Sequence, residues 1–181
     1  MVEVLISEPG ELNAAQLLAA EELVRSAFGS AFRSHDWLHA VNGVHVVLSD
    51  AERSLIGFAA VVPRTLRHNE LAFDTGYIEG VAIRADQQRL GLGRMVMDHA
   101  EHIVNTRHQL GALNAVETAA PFYEARGWQR WTGHTQAAGP TGIIDTYEDA
   151  DRIYLLRAET QGQPLTADTA LICDWRPGDL W

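Results

Sequence analysis

Residues 44–83 hold three apolar runs in succession, and the shortness of the joins between them decides how they pair. The runs read VHVVLSD, SLIGFAAVVPR and LAFDTGYIEGVAI, and the joins are the polar segments DAER and RHNE. Runs rich in Val, Ile and aromatic residues with such punctuation are typical of β-strands. Because a parallel crossover takes about a dozen residues or more, these neighbours have to run antiparallel. The sequence therefore predicts a three-stranded antiparallel meander.

Before this meander, the pattern predicts a strand followed by helices. Val2–Ile6 is β-branched and apolar, as expected of a first strand. Asn13 is predicted to cap a helix that runs from about Ala14 to Ala27, with Gln16 placed for a capping box. A short helix is predicted around Asp36–Val41.

After the meander, helical and extended patterns alternate. The predicted elements are a helix in LGRMVMDHAEHIVN, a strand in LGALNAV, a helix in TAAPFYEARGW that ends at Gly127, a loop at GPTG, and strands in RIYLLR and TALICDW. The chain has no internal repeat and no Pro/Ser-rich linker. We therefore predict one α+β domain that spans residues 1–181.

Charge limits the partners that the chain can bind. Its 181 residues include 14 basic and 24 acidic side chains, for a formal net charge of −10. This balance disfavours a nucleic-acid partner, because a phosphate backbone demands a basic patch. A negative field attracts a cationic small molecule, although the same charge also serves solubility alone.

Cysteine usage and the first residues predict where the chain resides. Cys173 is the single cysteine, so no internal disulfide can form, as expected in a reducing cytoplasm. The opening MVEVLISEPGELNAAQ has no basic n-region, and no apolar run is long enough to span a membrane. The eight histidines are scattered, and no ligand spacing is typical of a metal site. We expect a cytoplasmic protein without a membrane or metal partner.

A glycine-rich segment, Gln88-Arg89-Leu90-Gly91-Leu92-Gly93, lies between the last meander strand and the next predicted helix. Its glycines let the backbone approach a ligand and turn N–H groups toward it. The helix adds partial positive charge at its N-terminus, and Arg89 and Arg94 add full charges. These features suit a pyrophosphate, although an ordinary strand-to-helix turn has a similar composition. The segment lacks both the dinucleotide-binding and the Walker pattern.

The pattern Q-x-x-G-x-G after a strand ending VAIRAD resembles the acetyl-coenzyme A loop of the GCN5-related N-acetyltransferase (GNAT) superfamily. From about residue 26 to the last residue, the chain also resembles the aminoglycoside 2'-N-acetyltransferases, through the segments DWLHAVNGVH, GYIEGVAIRAD, QLGALNA, FYEARGW and CDWRPGDLW. The resemblance implies a central, mixed, mostly antiparallel sheet that is flanked by helices and splayed at the acetyl-CoA site. It also implies a bacterial, cytoplasmic enzyme that acetylates the 2'-amine of aminoglycoside antibiotics.

The resemblance assigns the acetyl-CoA contacts to two neighbouring segments. In such enzymes the strand before the loop splays from its neighbour and pairs with the pantetheine arm, a role that falls here to Val81, Ala82 and Ile83. The Ile83 amide is expected to polarise the thioester carbonyl. The pyrophosphate is expected on the segment from Gln88 to Gly93, with Arg94 beginning the helix.

Acetyl transfer needs a base for the amine and an acid for the leaving thiolate. Glu79 is the candidate base, acting through water, because it interrupts the apolar register of GYIEGVAI as a cleft-facing side chain does. By the residues alone, a surface glutamate on an edge strand is equally compatible. Tyr123 matches the family tyrosine near the CoA sulfur and is the candidate acid. By the residues alone, a half-buried core tyrosine is the more ordinary interpretation.

An aminoglycoside is a polycation, so carboxylates are expected around it. The residues that the resemblance assigns to the acceptor are Asp36, Trp37, Glu79, Gly80, Asn114, Glu148, Asp149, Asp179 and Trp181, the last through its α-carboxylate. Glu148 and Asp149 otherwise belong to an ordinary acidic loop. Trp37 and Trp181 offer flat faces to sugar rings, or pack in the core.

Two positions depart from the family pattern and bear on the acceptor. Ala31 stands where the best-known members have an aspartate that contacts substrate amines, and Asn114 stands where they have a serine. Losing one anionic contact costs about 1–3 kcal/mol for a substrate that needs it. The acceptor is therefore either a 2'-amino deoxystreptamine aminoglycoside or kasugamycin, which one branch of the family acetylates, and the departures slightly favour kasugamycin.

Other functions are compatible with the same sequence. One is an acetyltransferase of this fold that acts on another small amine metabolite or on a protein amine. The other is a CoA-binding sensor without catalysis. A homodimer is compatible with the fold, which often dimerises.

Overall fold

A computed structural model describes residues 1–146, 152–157 and 165–181. Within it, the chain forms two compact units. The first comprises Met1–Val62 and Ile78–Ile103, and the second comprises Pro63–Tyr77 and Val104–Trp181. The boundary after Val62 and the boundary after Tyr77 each fall inside a strand, so these two strands contribute residues to both units.

The described ranges contain helices and strands in alternation. The helices are α1 (Ala14–Phe28), α2 (Ser34–Ala40), α3 (Leu92–Arg107) and α4 (Ala120–Glu124), with single 3-10 turns at Gly29–Ala31, Ala85–Gln87 and Glu117–Ala119. The strands are β1 (Glu3–Ser7), β2 (Val44–Ser49), β3 (Leu55–His68), β4 (Leu71–Ile83), β5 (Leu110–Asn114), β6 (Gln129–Arg130), β7 (Thr135–Gly139), β8 (Gly142–Asp145), β9 (Ile153–Arg157) and β10 (Leu171–Asp174). Among the described helices, none has the length and apolar content needed to cross a membrane.

The first unit contains the antiparallel strands at the start of the chain. β1 pairs with β2 from Glu3↔Ser49 to Ser7↔His45, and β2 pairs with the first half of β3. β4 is the next neighbour of β3 in the strand order, which confirms the predicted meander. Its bounds, Leu71–Ile83, are those predicted from the sequence.

Helix α1 begins where the sequence predicts and packs on this unit's core. Asn13 Oδ1 accepts from the Gln16 N–H at 3.0 Å, and Gln16 Oε1 accepts from the Asn13 N–H at 2.9 Å. This reciprocal capping box satisfies two N–H groups that the helix leaves open. The inward residues of α1, among them Leu23 and Val24, lie in a buried cluster with Phe58.

The second unit contains strand pairs of both senses. β5 runs parallel to β4, whereas β9 pairs antiparallel with β5 and with β6. β10 runs antiparallel to β3 and parallel to β7, and β7 forms a hairpin with β8. The strand order is β6-β9-β5-β4-β3-β10-β7-β8. The fold class is α+β with a mixed, mostly antiparallel sheet, as predicted.

Three short strands, β6, β7 and β8, were not predicted from the sequence. The segment GPTG, predicted to be a loop, is the turn between β7 and β8, where Gly139 pairs with Gly142. The β7 sequence TQAAG carries no β-branched run, and every residue of β8 is exposed. β6 and β8 are only two and four residues long, so they give little local signal in spite of the two isoleucines of β8, and tertiary pairing decides them.

Candidate active site

The carboxyl-terminal end of β4 changes character at Glu79. Residues Thr75–Ile78 are buried, whereas Glu79, Gly80 and Val81 are half-buried. Gly80 has φ +63°, a left-handed conformation that interrupts the regular strand. A Cβ at Gly80 would lie 3.5 Å from side-chain atoms of Phe58 and Val24. The irregularity coincides with the candidate base predicted from the broken apolar register.

The same end of β4 carries backbone groups beyond its pairing with β5. That pairing extends from Thr75↔Leu110 to Tyr77↔Ala112, and β4 continues to Ile83. The Arg84 N–H donates to the Ile56 carbonyl of β3 at 2.9 Å. Because successive residues direct their N–H groups to opposite edges of a strand, the Ile83 N–H points away from β3. An extended ligand can pair with such an edge as an added strand does.

The segment after β4 forms a tight turn that leads into α3. It starts with an ion pair, Arg84 Nε to Asp86 Oδ1 at 2.7 Å, whose hydrogen bond lowers the pKa of the exposed Asp86 carboxyl. Gln88 Nε2 then donates to the Ile83 carbonyl at 3.2 Å. Arg89 and Gly91 both have positive φ, +61° and +83°. Alternating backbone of this kind forms concave groups of N–H donors that suit anions.

Helix α3 begins at Leu92, the first residue of the predicted helical segment LGRMVMDHAEHIVN, so that Arg94 lies in its first turn. Its first i to i−4 bond runs from the Met95 N–H to the Gly91 carbonyl at 3.1 Å. The N–H groups of Leu92, Gly93 and Arg94 therefore belong to the first turn, where helices leave donors for caps or ligands. The structure gathers the whole predicted pyrophosphate segment, from Gln88 to Arg94, into this turn and helix start.

A cleft of about 370 Å³ lies beside this turn within the first unit. Its lining residues are Ala19, Glu22, Leu23, Ser26, Ala27, Leu55, Ile83, Arg84, Ala85 and Gln88. Sequence analysis identified Ile83 and Gln88 of this set but none of the α1 residues. The sequence pattern that could have identified these α1 residues is a helical face of small and polar side chains, Ala19, Glu22 and Ser26, beside the apolar stripe of the helix.

Tyr123 lies in α4 of the second unit and is 7% exposed. Its ring contacts Phe122 at a centroid distance of 5.3 Å, and Trp128 and Tyr154 at 6.3 Å each. Burial in this aromatic cluster fixes the ring, which a well-placed acid needs. Packing alone also accounts for the position, so the acid role stays a prediction.

Asp36 lies half-buried in the first turn of α2. Its Oδ2 accepts from the Arg33 N–H at 2.7 Å, and Oδ1 is 3.2 Å from His35 Nε2. A carboxylate in this position caps the helix. The capping role accounts for this side chain without an acceptor, and its acceptor role stays a prediction.

Both tryptophans predicted for the acceptor have buried rings. Trp37 is 8% exposed and packs 5.8 Å from Phe58, measured between ring centroids. Trp181 is 3% exposed, and its Nε1 donates to Thr146 Oγ1 at 2.8 Å. The core-packing alternative accounts for both rings, which leaves the α-carboxylate of Trp181 as the predicted acceptor contact.

The remaining predicted acceptor residues are exposed or fall outside the described residues. Asn114 is the exposed last residue of β5, and Asp179 is exposed. Glu148 and Asp149 lie outside the described residues, and Ala31 is the last residue of the 3-10 turn Gly29–Ala31.

Cys173, the single cysteine, lies in surroundings that disfavour its thiolate form. The side chain is fully buried, and burial raises the pKa of its thiol to about 11. The nucleophilic form of cysteine is the thiolate, which this pKa nearly eliminates.

Comparison with known proteins agrees with these features. The family model described as Acetyltransferase (GNAT) family matches residues 13–128. A protein of Mycolicibacterium fortuitum named aminoglycoside 2'-N-acetyltransferase is 39% identical over 163 residues, which are 90% of this chain and 83% of that protein.

Solved structures agree in fold. A GNAT family N-acetyltransferase (YhbS) from Escherichia coli, solved in complex with CoA, has a TM-score of 0.67 at 11% identity, over 97% of this chain and 89% of that one. The ribosomal-protein-S18-alanine N-acetyltransferase from Escherichia coli has a TM-score of 0.59 at 20% identity, over 92% and 99% of the two chains. At these identities the two structures bear on the fold alone.

Proposed function

Because this chain belongs to the acetyltransferase (GNAT) family, we propose that it transfers acetyl from acetyl-CoA to the 2'-amine of an aminoglycoside-type antibiotic and so confers resistance. The chain is an N-acetyltransferase. The observation that carries the acceptor class is the 39% identity with the Mycolicibacterium fortuitum enzyme over 90% of this chain. The net charge of −10 supports it, since a polycation is drawn to a negative field.

In the proposed reaction, β4 and the following turn hold acetyl-CoA. Val81, Ala82 and Ile83 pair with the pantetheine arm, and the Ile83 N–H donates to the thioester carbonyl oxygen as negative charge develops there. The N–H groups from Gln88 to Arg94 donate hydrogen bonds to the pyrophosphate oxygens. The direction of the Ile83 N–H, away from β3, and the positive φ values in the turn support these roles.

Two side chains move protons in the proposed reaction. Glu79 takes a proton from the acceptor ammonium, directly or through water, so that a neutral amine attacks the thioester carbon. The new N–C bond forms, the C–S bond breaks, and Tyr123 protonates the leaving thiolate to give CoA. The nitrogen gives its second proton to solvent to form the amide, and Tyr123 regains its proton from solvent. Tyr123 is buried in its aromatic cluster, which supports a role that depends on fixed geometry.

The acceptor is held by carboxylates, among them Asp36, Asp179 and the α-carboxylate of Trp181. Ala31 and Asn114 in place of the family aspartate and serine favour kasugamycin slightly over a deoxystreptamine aminoglycoside. Expression in a susceptible bacterium tests this function: tolerance to one of these drugs should rise, and Glu79→Gln should abolish the rise. Unchanged tolerance to every drug, with acetyltransferase activity retained, would favour a metabolite or protein amine as acceptor.

A glycine substitution tests the pyrophosphate turn. Gly91→Ala should raise the KM for acetyl-CoA by on the order of tenfold, because strain at φ +83° shifts the N–H groups that donate to the phosphate oxygens. Gly10 is a matched control with φ +84°, and for both glycines no described atom lies within 4 Å of an added Cβ. Steady-state kinetics should show equal KM values for Gly10→Ala and the unmodified enzyme. Equal effects of the two substitutions would remove the turn from the acetyl-CoA site.

A C-terminal extension tests the acceptor role of the Trp181 carboxylate. Four added Gly/Ser residues turn that carboxylate into a neutral amide, so the acceptor KM should rise on the order of tenfold or more while the acetyl-CoA KM stays constant. The same extension before Met1, which is 99% exposed, is the control. An acceptor KM within twofold of the unextended enzyme would contradict this role.

A further inference from the structure

Arg64 lies in the second half of β3, and its side chain is 3% exposed. A guanidinium is seldom buried this deeply unless its N–H groups have partners. Nε donates to Asp174 Oδ1 at 2.9 Å, and Nη2 donates to the Asp174 backbone carbonyl at 2.8 Å. Nη1 donates to the Leu180 carbonyl at 2.7 Å. One side chain thus binds both the end of β10 and the residue before Trp181.

Further contacts fix the same segment. The Arg64 guanidinium lies 4.9 Å from the centroid of the Tyr77 ring, and Arg176 lies 5.4 Å from the centroid of the same ring. Arg176 Nε also donates to the Asp179 carbonyl at 2.7 Å. The segment from residue 175 to 181, here called the tail, is therefore held at its start, in its middle and next to its last residue.

Fold stability alone is a weak explanation for this arrangement. Desolvation offsets much of the attraction that a buried guanidinium gains from its partners. The side chain of Asp174 is 43% exposed, and ion pairs with a solvated partner contribute little to stability. The three donors of Arg64 converge on Asp174 and Leu180, so their main effect is to define where the tail lies.

We propose that Arg64 is a positioning residue for the acceptor, which holds the tail so that Asp179 and the Trp181 carboxylate face the ammonium groups of a polycationic substrate. This inference rests on the proposed function, in which those two carboxylates bind the acceptor. Arg64 touches neither acceptor nor acetyl-CoA in this role and acts through the tail.

Hydrogen exchange of the full-length protein without substrates tests the structural half of the proposal. Arg64→Met removes all three donors, and exchange in a peptide covering residues 174–181 should become at least tenfold faster, while a peptide from α3 stays unchanged. Arg67→Met, an exposed position of the same strand, should leave both peptides unchanged. Arg64→Lys keeps the charge without the planar fork and should give an intermediate rate. Unchanged protection of the tail in both Arg64 variants would overturn the proposal.

Kinetics test the functional half. Arg64→Met should raise the acceptor KM by on the order of tenfold or more, with the acetyl-CoA KM within twofold. In a full-length chain that combines Asp179→Asn with the Gly/Ser extension after Trp181, the same substitution should cause no further rise, because both carboxylates through which Arg64 acts are then neutral. Additive effects of Arg64→Met and this double change would overturn the positioning role.

The two assays separate this proposal from the proposed function. Hydrogen exchange needs no acceptor, so inactivity toward every drug leaves its result intact and counts against the proposed function alone. If Arg64→Met speeds exchange in the tail but leaves the acceptor KM unchanged, the positioning role is wrong. If exchange in the tail stays slow, the contacts of Arg64 do not hold the tail and the role loses its basis. Should Arg64→Met fail to fold, Arg64→Lys carries both assays with the same criteria.

Discussion

Glu79→Gln should lower kcat for acetyl transfer by on the order of 100-fold or more, with the KM for acetyl-CoA within twofold. The amines of an aminoglycoside are largely protonated at neutral pH, and the ammonium form has no lone pair for attack. Glutamine keeps the size and shape of glutamate but cannot take the proton. Because Glu79 is half-buried at an irregular point of β4, the neutral side chain should leave the fold intact.

The pH dependence of this variant separates a base from a binding residue. As pH rises, the acceptor amine loses its proton to solvent, so the deficit of Glu79→Gln should shrink. Glu70→Gln, in the exposed turn before β4, is the matched control and should keep full activity. A rate within threefold of the unmodified enzyme, or a deficit that is the same at every pH, would contradict the role of Glu79 as base.

Tyr123→Phe should lower kcat by on the order of 10- to 100-fold with little change in thermal stability. The substitution removes one oxygen and keeps the ring against Trp128 and Tyr154. Without a proton donor in the protein, the leaving thiolate has to take its proton from solvent, which is slower. The lower rate should therefore appear in kcat and not in the KM for either substrate.

The neighbouring tyrosine provides the control for this prediction. Tyr154 lies 6.3 Å from Tyr123 between ring centroids, and its hydroxyl donates to Glu124 Oε1 at 3.2 Å. Burial raises the pKa of the Tyr154 hydroxyl, and its proton is already engaged in the hydrogen bond to Glu124. Tyr154→Phe should therefore keep its rate. An equal loss of kcat in Tyr123→Phe and Tyr154→Phe would assign the effect to packing and contradict the role of Tyr123 as the acid.

Features with a strong local signal could be predicted from the sequence. The capping box of Asn13 and Gln16 and the bounds of β4 match the prediction because a cap and a long apolar run are encoded by adjacent residues. The glycine-rich turn was found in the same way. Helix α3 begins at Leu92, the first residue of the predicted segment LGRMVMDHAEHIVN, and Arg94, which was expected to begin the helix after the pyrophosphate segment, lies in its first turn.

Features that depend on distant residues could not be predicted. The bonds from Arg64 to Asp174 and Leu180 span 110 and 116 positions, so they follow from the strand order β4-β3-β10 and not from any local pattern. The positive φ of Arg89 could not be predicted from the sequence either, because arginine seldom adopts a positive φ. The hydrogen bond from Trp181 Nε1 to Thr146 Oγ1 belongs to the same class, because it joins residues that are 35 positions apart.

The most direct test of the account is CoA release by the purified protein, supplied with acetyl-CoA and a panel that includes kasugamycin, gentamicin and tobramycin. We predict release with at least one of them, a product heavier by one acetyl group, and NMR assignment of that acetyl to the 2'-amine. Selective turnover of kasugamycin would fit Ala31 and Asn114. An absence of CoA release with every drug of the panel, from protein that binds acetyl-CoA, would contradict the account.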